Sequence, residues 1–194
     1  MKASSLILKS TLALALAAPL LASAESQLVI GTGSAAARLD LRVVIPRVLF
    51  LGVGTGAATP LATNGTIDAI TFDYSGNALD VGTGLAAGSI SNTGPTPAGS
   101  TVPVRVLGNN GQITITATNP ADLTSGTDTI PFTQMSVTSD GALAAPAFSG
   151  GTSQPTPVGR VTNLTSNWTY SYANTVTPAA GTYTGRVTYT AAMP

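Results

Sequence analysis

Carboxylates, hydroxyls and arginines are nearly all the chemistry that this 194-residue sequence offers. It has no histidine and no cysteine, and both of its lysines, Lys2 and Lys9, lie close to the amino terminus. Without those groups there is no Ser-His or Cys-His nucleophile pair and no His/Cys zinc set, and beyond Lys9 no Schiff-base lysine. A pair of carboxylates, as in glycoside hydrolysis, is the hydrolytic option left. Asp68 and Asp73 are the nearest such pair. On one strand their odd spacing sends them to opposite faces, so they read as solvated strand-end aspartates. No enzymatic activity is expected.

Other spacings give similarly plain readings. Asp73, Asn77 and Asp80 could gather oxygens around calcium. They miss the EF-hand spacing and lack its closing glutamate, so an ordinary Asp/Asn turn is expected and no metal or cofactor. Gly52-Val53-Gly54-Thr55-Gly56 has the glycines of a phosphate loop but no GK[ST] and no following helical pattern. It reads as a glycine loop ending a strand. Trp168, Tyr170 and Tyr172 share one face of a strand, where they could stack a sugar or fill a core. Core is favoured for Trp168, because aromatic side chains supply the largest burial per residue. Asn64, Asn163 and Asn167 begin Asn-X-Thr acceptor patterns, which carry no weight in a chain whose leader and composition look bacterial.

Residues 1–24 read as a signal peptide: Lys2 and Lys9, the apolar run Thr11 to Leu21, then Ala22-Ser23-Ala24 as a small-X-small cleavage pattern. The run is too short for a membrane span of roughly 20 residues, and no second candidate follows, so no membrane insertion is expected. Cleavage would remove both lysines and leave six arginines against eight acids, a net charge of −2. So thin a charge makes no nucleic-acid footprint. An exported chain without cysteine has no disulfides to rely on, so its stability must come from a sheet core or from assembly.

The elements follow a period of two. In Gly181 to Ala191, residues Tyr183, Val187, Tyr189 and Ala191 fall on one face, and Thr182, Thr184, Arg186, Thr188 and Thr190 on the other. This pattern predicts a half-buried closing strand, with Thr well suited to an extended backbone. Residues 36–45 alternate likewise, with Ala37, Leu39, Leu41, Val43 and Ile45 opposite Arg38, Asp40 and Arg42. Pro46 interrupts, and Arg47 to Val53 resumes. Further strands are predicted at Ile67–Tyr74, weakly at Leu85–Ile90, at Asp128–Val137 with Pro131 at an edge or bulge, and at Asn167–Tyr172 after Val161. Val102, Val104 and Val106 lead into Gly108-Asn109-Asn110-Gly111, with Ile113, Ile115 and Ala117 beyond, a hairpin pattern. No helical period follows the leader. The expected fold is all-β, a single antiparallel sandwich of about seven to eight strands. Its domains are a signal peptide 1–24, an N-terminal extension 25–45 and a sandwich 46–194.

The close, Ala180-Gly181-Thr182-Tyr183 with Val187-Thr188-Tyr189, resembles the last strand of archaic chaperone–usher pilins and of spore-coat-U-type secreted proteins. Ala37 to Ile45 is similar in place and pattern to the N-terminal donor segment of those proteins. The hairpin and Thr129-Ile130-Pro131-Phe132 are compatible with them. The resemblance implies an incomplete immunoglobulin-like sandwich whose groove accepts a strand from the next subunit, giving an open head-to-tail fibre. It implies Leu39, Leu41, Val43 and Ile45 as donor plugs, and Gly181, Tyr183, Val187 and Tyr189 as the C-terminal strand or groove wall. A periplasmic chaperone and an outer-membrane usher are the further partners it implies, and the cell surface or fimbrium the location. Two alternatives stand beside this. Residues 36–45 could be the domain's own first strand, with Gln27-Leu28-Val29-Ile30 as another donor candidate. The protein could also be a monomeric secreted or periplasmic binding module, for instance for carbohydrate, using Trp168.

Overall fold

The computed structural model describes residues 26–57, 61–94, 97, 99–118 and 120–194, so the signal peptide lies outside the described residues. The chain divides at Ile45/Pro46 into two units. In the first, residues 26–45 form no strand and their side chains are exposed, with Gln27 Oε1 accepting the Ala36 N–H at 3.1 Å. Residues 36–45 therefore do not form the domain's own first strand, and Gln27–Ile30 form no strand either.

The second unit holds eleven strands among the described residues: β1 (Leu49–Val53), β2 (Ile70–Asp73), β3 (Ser89–Asn92), β4 (Thr101–Gly108), β5 (Thr114–Ala117), β6 (Leu123–Ser125), β7 (Asp128–Ile130), β8 (Met135–Ser139), β9 (Thr152–Ser153), β10 (Thr162–Tyr172) and β11 (Tyr189–Ala192). One antiparallel sheet runs β1-β4-β10-β8 and a second runs β11-β5-β9; β2-β3 and β6-β7 are separate ribbons. The all-β expectation holds. The small ribbons and the two-residue β9 raise the number of strands above the seven or eight expected.

The core is where these two sheets meet. Val102, Val104 and Val106 of β4 and Trp168 and Tyr170 of β10 are buried on one side. Ile115 of β5, Ile113 just before it and the half-buried Tyr189 of β11 face them. Trp168 and Tyr189 meet with ring centroids 4.9 Å apart, and the Tyr170 and Tyr189 hydroxyls lie 3.1 Å apart. Leu143 and Phe148, from the loop after β8, close the core.

The predicted hairpin at Gly108–Gly111 proves to be a crossing between layers. β4 pairs with β1 and β10, whereas β5 pairs with β11 and β9. The apolar residues on its two sides, Val102, Val104 and Val106 and then Ile113 and Ile115, meet in one buried cluster between the layers. Gly111 turns the corner at φ +96°. Pro131 divides the predicted Asp128–Val137 strand into β7 and β8, with a 3₁₀ turn at Phe132–Gln134. The predicted Asn167–Tyr172 strand begins earlier, at Thr162, because polar Thr162 and Ser166 occupy buried inner positions. Ser166 Oγ accepts the Leu143 N–H at 3.1 Å.

Candidate assembly site at the open sheet edge

Taking β1, β4, β5, β8, β10 and β11 in chain order as A to F, the first sheet reads A-B-E-D and the second has F beside C. That is the immunoglobulin-type order, in which a seventh strand, G, pairs with the far side of F. Here β11 pairs only with β5 among the described residues, so its other edge is open. β1, the edge strand of the opposite sheet, lies next to β11.

Side chains and main chain both mark this edge. Directly opposed residues of an antiparallel pair point to the same face. Leu49, Leu51 and Val53 oppose Gly108, Val106 and Val104, so they point into the sandwich. Even so Leu51 and Val53 are only partly buried, and Leu49 stays 37% exposed. Tyr189 and Ala191 of β11 oppose buried Ala117 and Ile115 and are likewise only partly covered. Inward-pointing apolar residues on both flanking strands thus lack full cover. The Thr118 N–H donates to the Thr188 carbonyl at 2.9 Å, which fixes the ladder's alternation. Main-chain groups of Thr188 and Thr190 face β5, and those of Tyr189 and Ala191 face the open edge.

The residues expected to form the site separate into groups. Val187 and Tyr189 pack against the core as half-buried residues, and Tyr189 is as much a core residue as a wall. Gly181 and Tyr183 lie outside β11, near the β6–β7 ribbon. A Cβ on Gly181 would stand 2.4 Å from Ser125 Oγ, the Tyr183 hydroxyl donates to the Ala179 carbonyl at 2.9 Å, and Thr184 bridges Thr124. The alternation of faces over Tyr183–Ala191 holds, but regular pairing covers only Tyr189–Ala192, since β5 ends at Ala117 and Pro120 has no N–H to extend it. Leu39, Leu41, Val43 and Ile45 are 82%, 86%, 82% and 77% exposed.

The other candidate chemistry is held internally. Trp168 is fully buried and its indole N–H donates to the Leu143 carbonyl at 2.8 Å, so it is no sugar platform. Tyr170 is buried too, and Tyr172 packs against Phe72 and Tyr74. The glycine loop does cradle an anion, but it is the Asp68 carboxylate. Both the N–H and the hydroxyl of Thr55 donate to it, the latter at 2.8 Å. A Cβ on Gly54 (φ +63°) would sit 1.9 Å from Asp68 Oδ2, and one on Gly94 2.7 Å. Asp73 accepts from the hydroxyl and N–H of Ser75, which hold its carboxyl below the ordinary range. Asp80 accepts from the Asn77 amide at 2.8 Å, while the Asn77 oxygen takes the Gly88 N–H. On the outer face of the first sheet, a depression of about 310 Å³ is lined by Pro103, Arg105, Asp140, Thr165 and Asn167. Its Asp140 accepts from the N–H and the side-chain amide of Asn167, which lower its carboxyl pKa.

No protein-family model matches the chain, and neither a curated protein nor a solved structure does.

Proposed function

We propose that this protein is a structural subunit of an extracellular fibre or pilus, assembled when the N-terminal segment of one copy enters the open edge of the next. The observation that carries this reading is the seventh position beside β11, which no described residue pairs into, flanked by inward-pointing residues that remain partly exposed. An extended segment added there would hydrogen-bond to the free main-chain groups of Tyr189 and Ala191, while its alternate side chains cover Leu49, Leu51 and Val53. Leu39, Leu41, Val43 and Ile45 have the required period of two, and all four are exposed. Donor and acceptor are different surfaces, so the contact is head-to-tail and propagates as an open chain. Adhesion or biofilm formation at the cell surface is the role such a fibre serves. Export by the leader, a periplasmic chaperone that shields the open edge before assembly, and an usher for secretion belong to the same reading.

The test is size-exclusion chromatography with light scattering on the chain from residue 25. Polymers are expected, reduced to monomer when residues 36–45 are deleted, with a free 36–45 peptide binding the truncated protein. A truncated chain that polymerises as before, or one that ignores the peptide, overturns the reading.

A further inference from the structure

Donor exchange has a competitor. A tethered segment returning to its own open edge enjoys an effective concentration in the millimolar range, which at micromolar protein would leave closed monomers. That advantage vanishes only where geometry forbids the return. The junction with β1 contains a device of this kind. The β1–β4 ladder ends at the pair Leu49↔Gly108. Beyond it the Asn109 side chain takes over the ladder's role. Its Oδ1 accepts the Val48 N–H at 2.9 Å, its Nδ2 donates to the Pro46 carbonyl at 2.8 Å, and its own N–H donates to the Val48 carbonyl at 3.3 Å. A side-chain amide here imitates a neighbouring strand and ties Pro46 and Val48 to the residue that follows β4. Pro46 adds a restriction of its own, because the residue before a proline is confined to extended conformations, here Ile45.

We infer that Asn109 and Pro46 form a staple that commits the N-terminal segment to a second copy of this chain. This inference rests on the donor-strand reading above. To reach its own β11 edge the chain must reverse direction between residue 45 and Leu49. The staple occupies Pro46 and Val48, and Pro46 stiffens Ile45. The reversal is then pushed back into Val43 and Val44, which takes Val43 and Ile45 out of the set of plugs. Leu39 and Leu41 are the two plugs left to cover the three inward residues Leu49, Leu51 and Val53. A partner copy imposes no such turn.

The experiment compares the native chain from residue 25 with Asn109→Ala, with Pro46→Gly and with a Gly-Ser-Gly-Ser insertion between Ile45 and Pro46. Each is read by light scattering after refolding at micromolar concentration. The ratio of closed monomer to polymer should rise about ten-fold for each substitution, the shift expected from losing one or two hydrogen bonds or an equivalent restriction. The insertion should give mostly monomer. Pro46→Gly and the insertion leave the β1–β4 ladder untouched, so they remain informative if Asn109→Ala fails to fold. Unchanged polymer in Pro46→Gly and the insertion, in a protein whose polymers vanish on deleting 36–45, overturns the staple alone. Polymers that survive the deletion overturn the donor reading and the staple with it.

Discussion

Leu39, Leu41, Val43 and Ile45 recur at every second residue, as Tyr189, Ala191 and Met193 do at the other end of the chain. The second set has a partner strand in β5 and an aromatic neighbour in Trp168, and it is half buried. Among the described residues the first set has neither, and it is exposed to 77% or more at every position. Alternation specifies which side chains share a face, but it does not say where the covering surface comes from. One pattern is satisfied within the fold, and the other meets no covering surface among the described residues.

The sharpest way to break this comparison is to make equivalent cuts in both segments. Tyr189→Ala removes a ring packed on Trp168 and the hydroxyl partner of Tyr170, and should lower unfolding stability by about 3–5 kcal/mol in a urea titration. The same titration at high pH sharpens it further. Burial pushes the Tyr170 phenol from its ordinary 10.0 up to about 12, although the Tyr189 hydroxyl pulls the other way. Tyr189 is also raised, first by burial and then by its neighbour Tyr170. A raised acid pKa means that the folded state favours the neutral phenol. The stabilisation is therefore complete below pH of about 10 and is lost as pH rises through about 12, on the order of 3 kcal/mol from Tyr170. Residues 39–45 contain no titrating phenol, so the loss should track the 295 nm absorbance of the core tyrosines.

How much of this was legible in the sequence follows from the same distinction. The face pattern of Tyr183–Ala191 could be read because side-chain period is a local property. The end of regular pairing at Tyr189 could not, because it depends on where β5 stops, more than seventy residues away in the chain. The crossing at Gly108–Gly111 reads as a hairpin in the sequence for a related reason. Asn-Gly chemistry permits a reversal of direction, but whether the next strand joins the same sheet or the opposite one depends on how much apolar surface each choice covers. Thr162 and Ser166 hid the first half of β10, since buried hydroxyls on an inner face look like loop residues until Leu143 is seen to donate to one of them. Pro46 was legible as a break, whereas its hydrogen bond from Asn109 was not.

Smaller effects refine the contrast. Asp68→Asn removes the charge that the Thr55 N–H and hydroxyl address, and should cost about 1–2 kcal/mol of stability by the same urea measurement. Leu41→Ser should alter the stability of a monomer by no more than about 0.5 kcal/mol, since the side chain is 86% exposed. The same substitution should nonetheless weaken assembly measurably by light scattering. A Leu41→Ser chain that unfolds as readily as Tyr189→Ala would erase the difference between the two segments.

The most direct test of the central claim is residue-resolved amide hydrogen exchange on the chain lacking residues 25–45, with and without a peptide of residues 36–45. The amides of Tyr189 and Ala191, which face the open edge, should slow markedly when peptide is added, while those of Thr188 and Thr190, on the side of β5, should change little. Equal exchange at Tyr189 and Ala191 with and without saturating peptide would mean that no strand joins this edge, and would contradict the account.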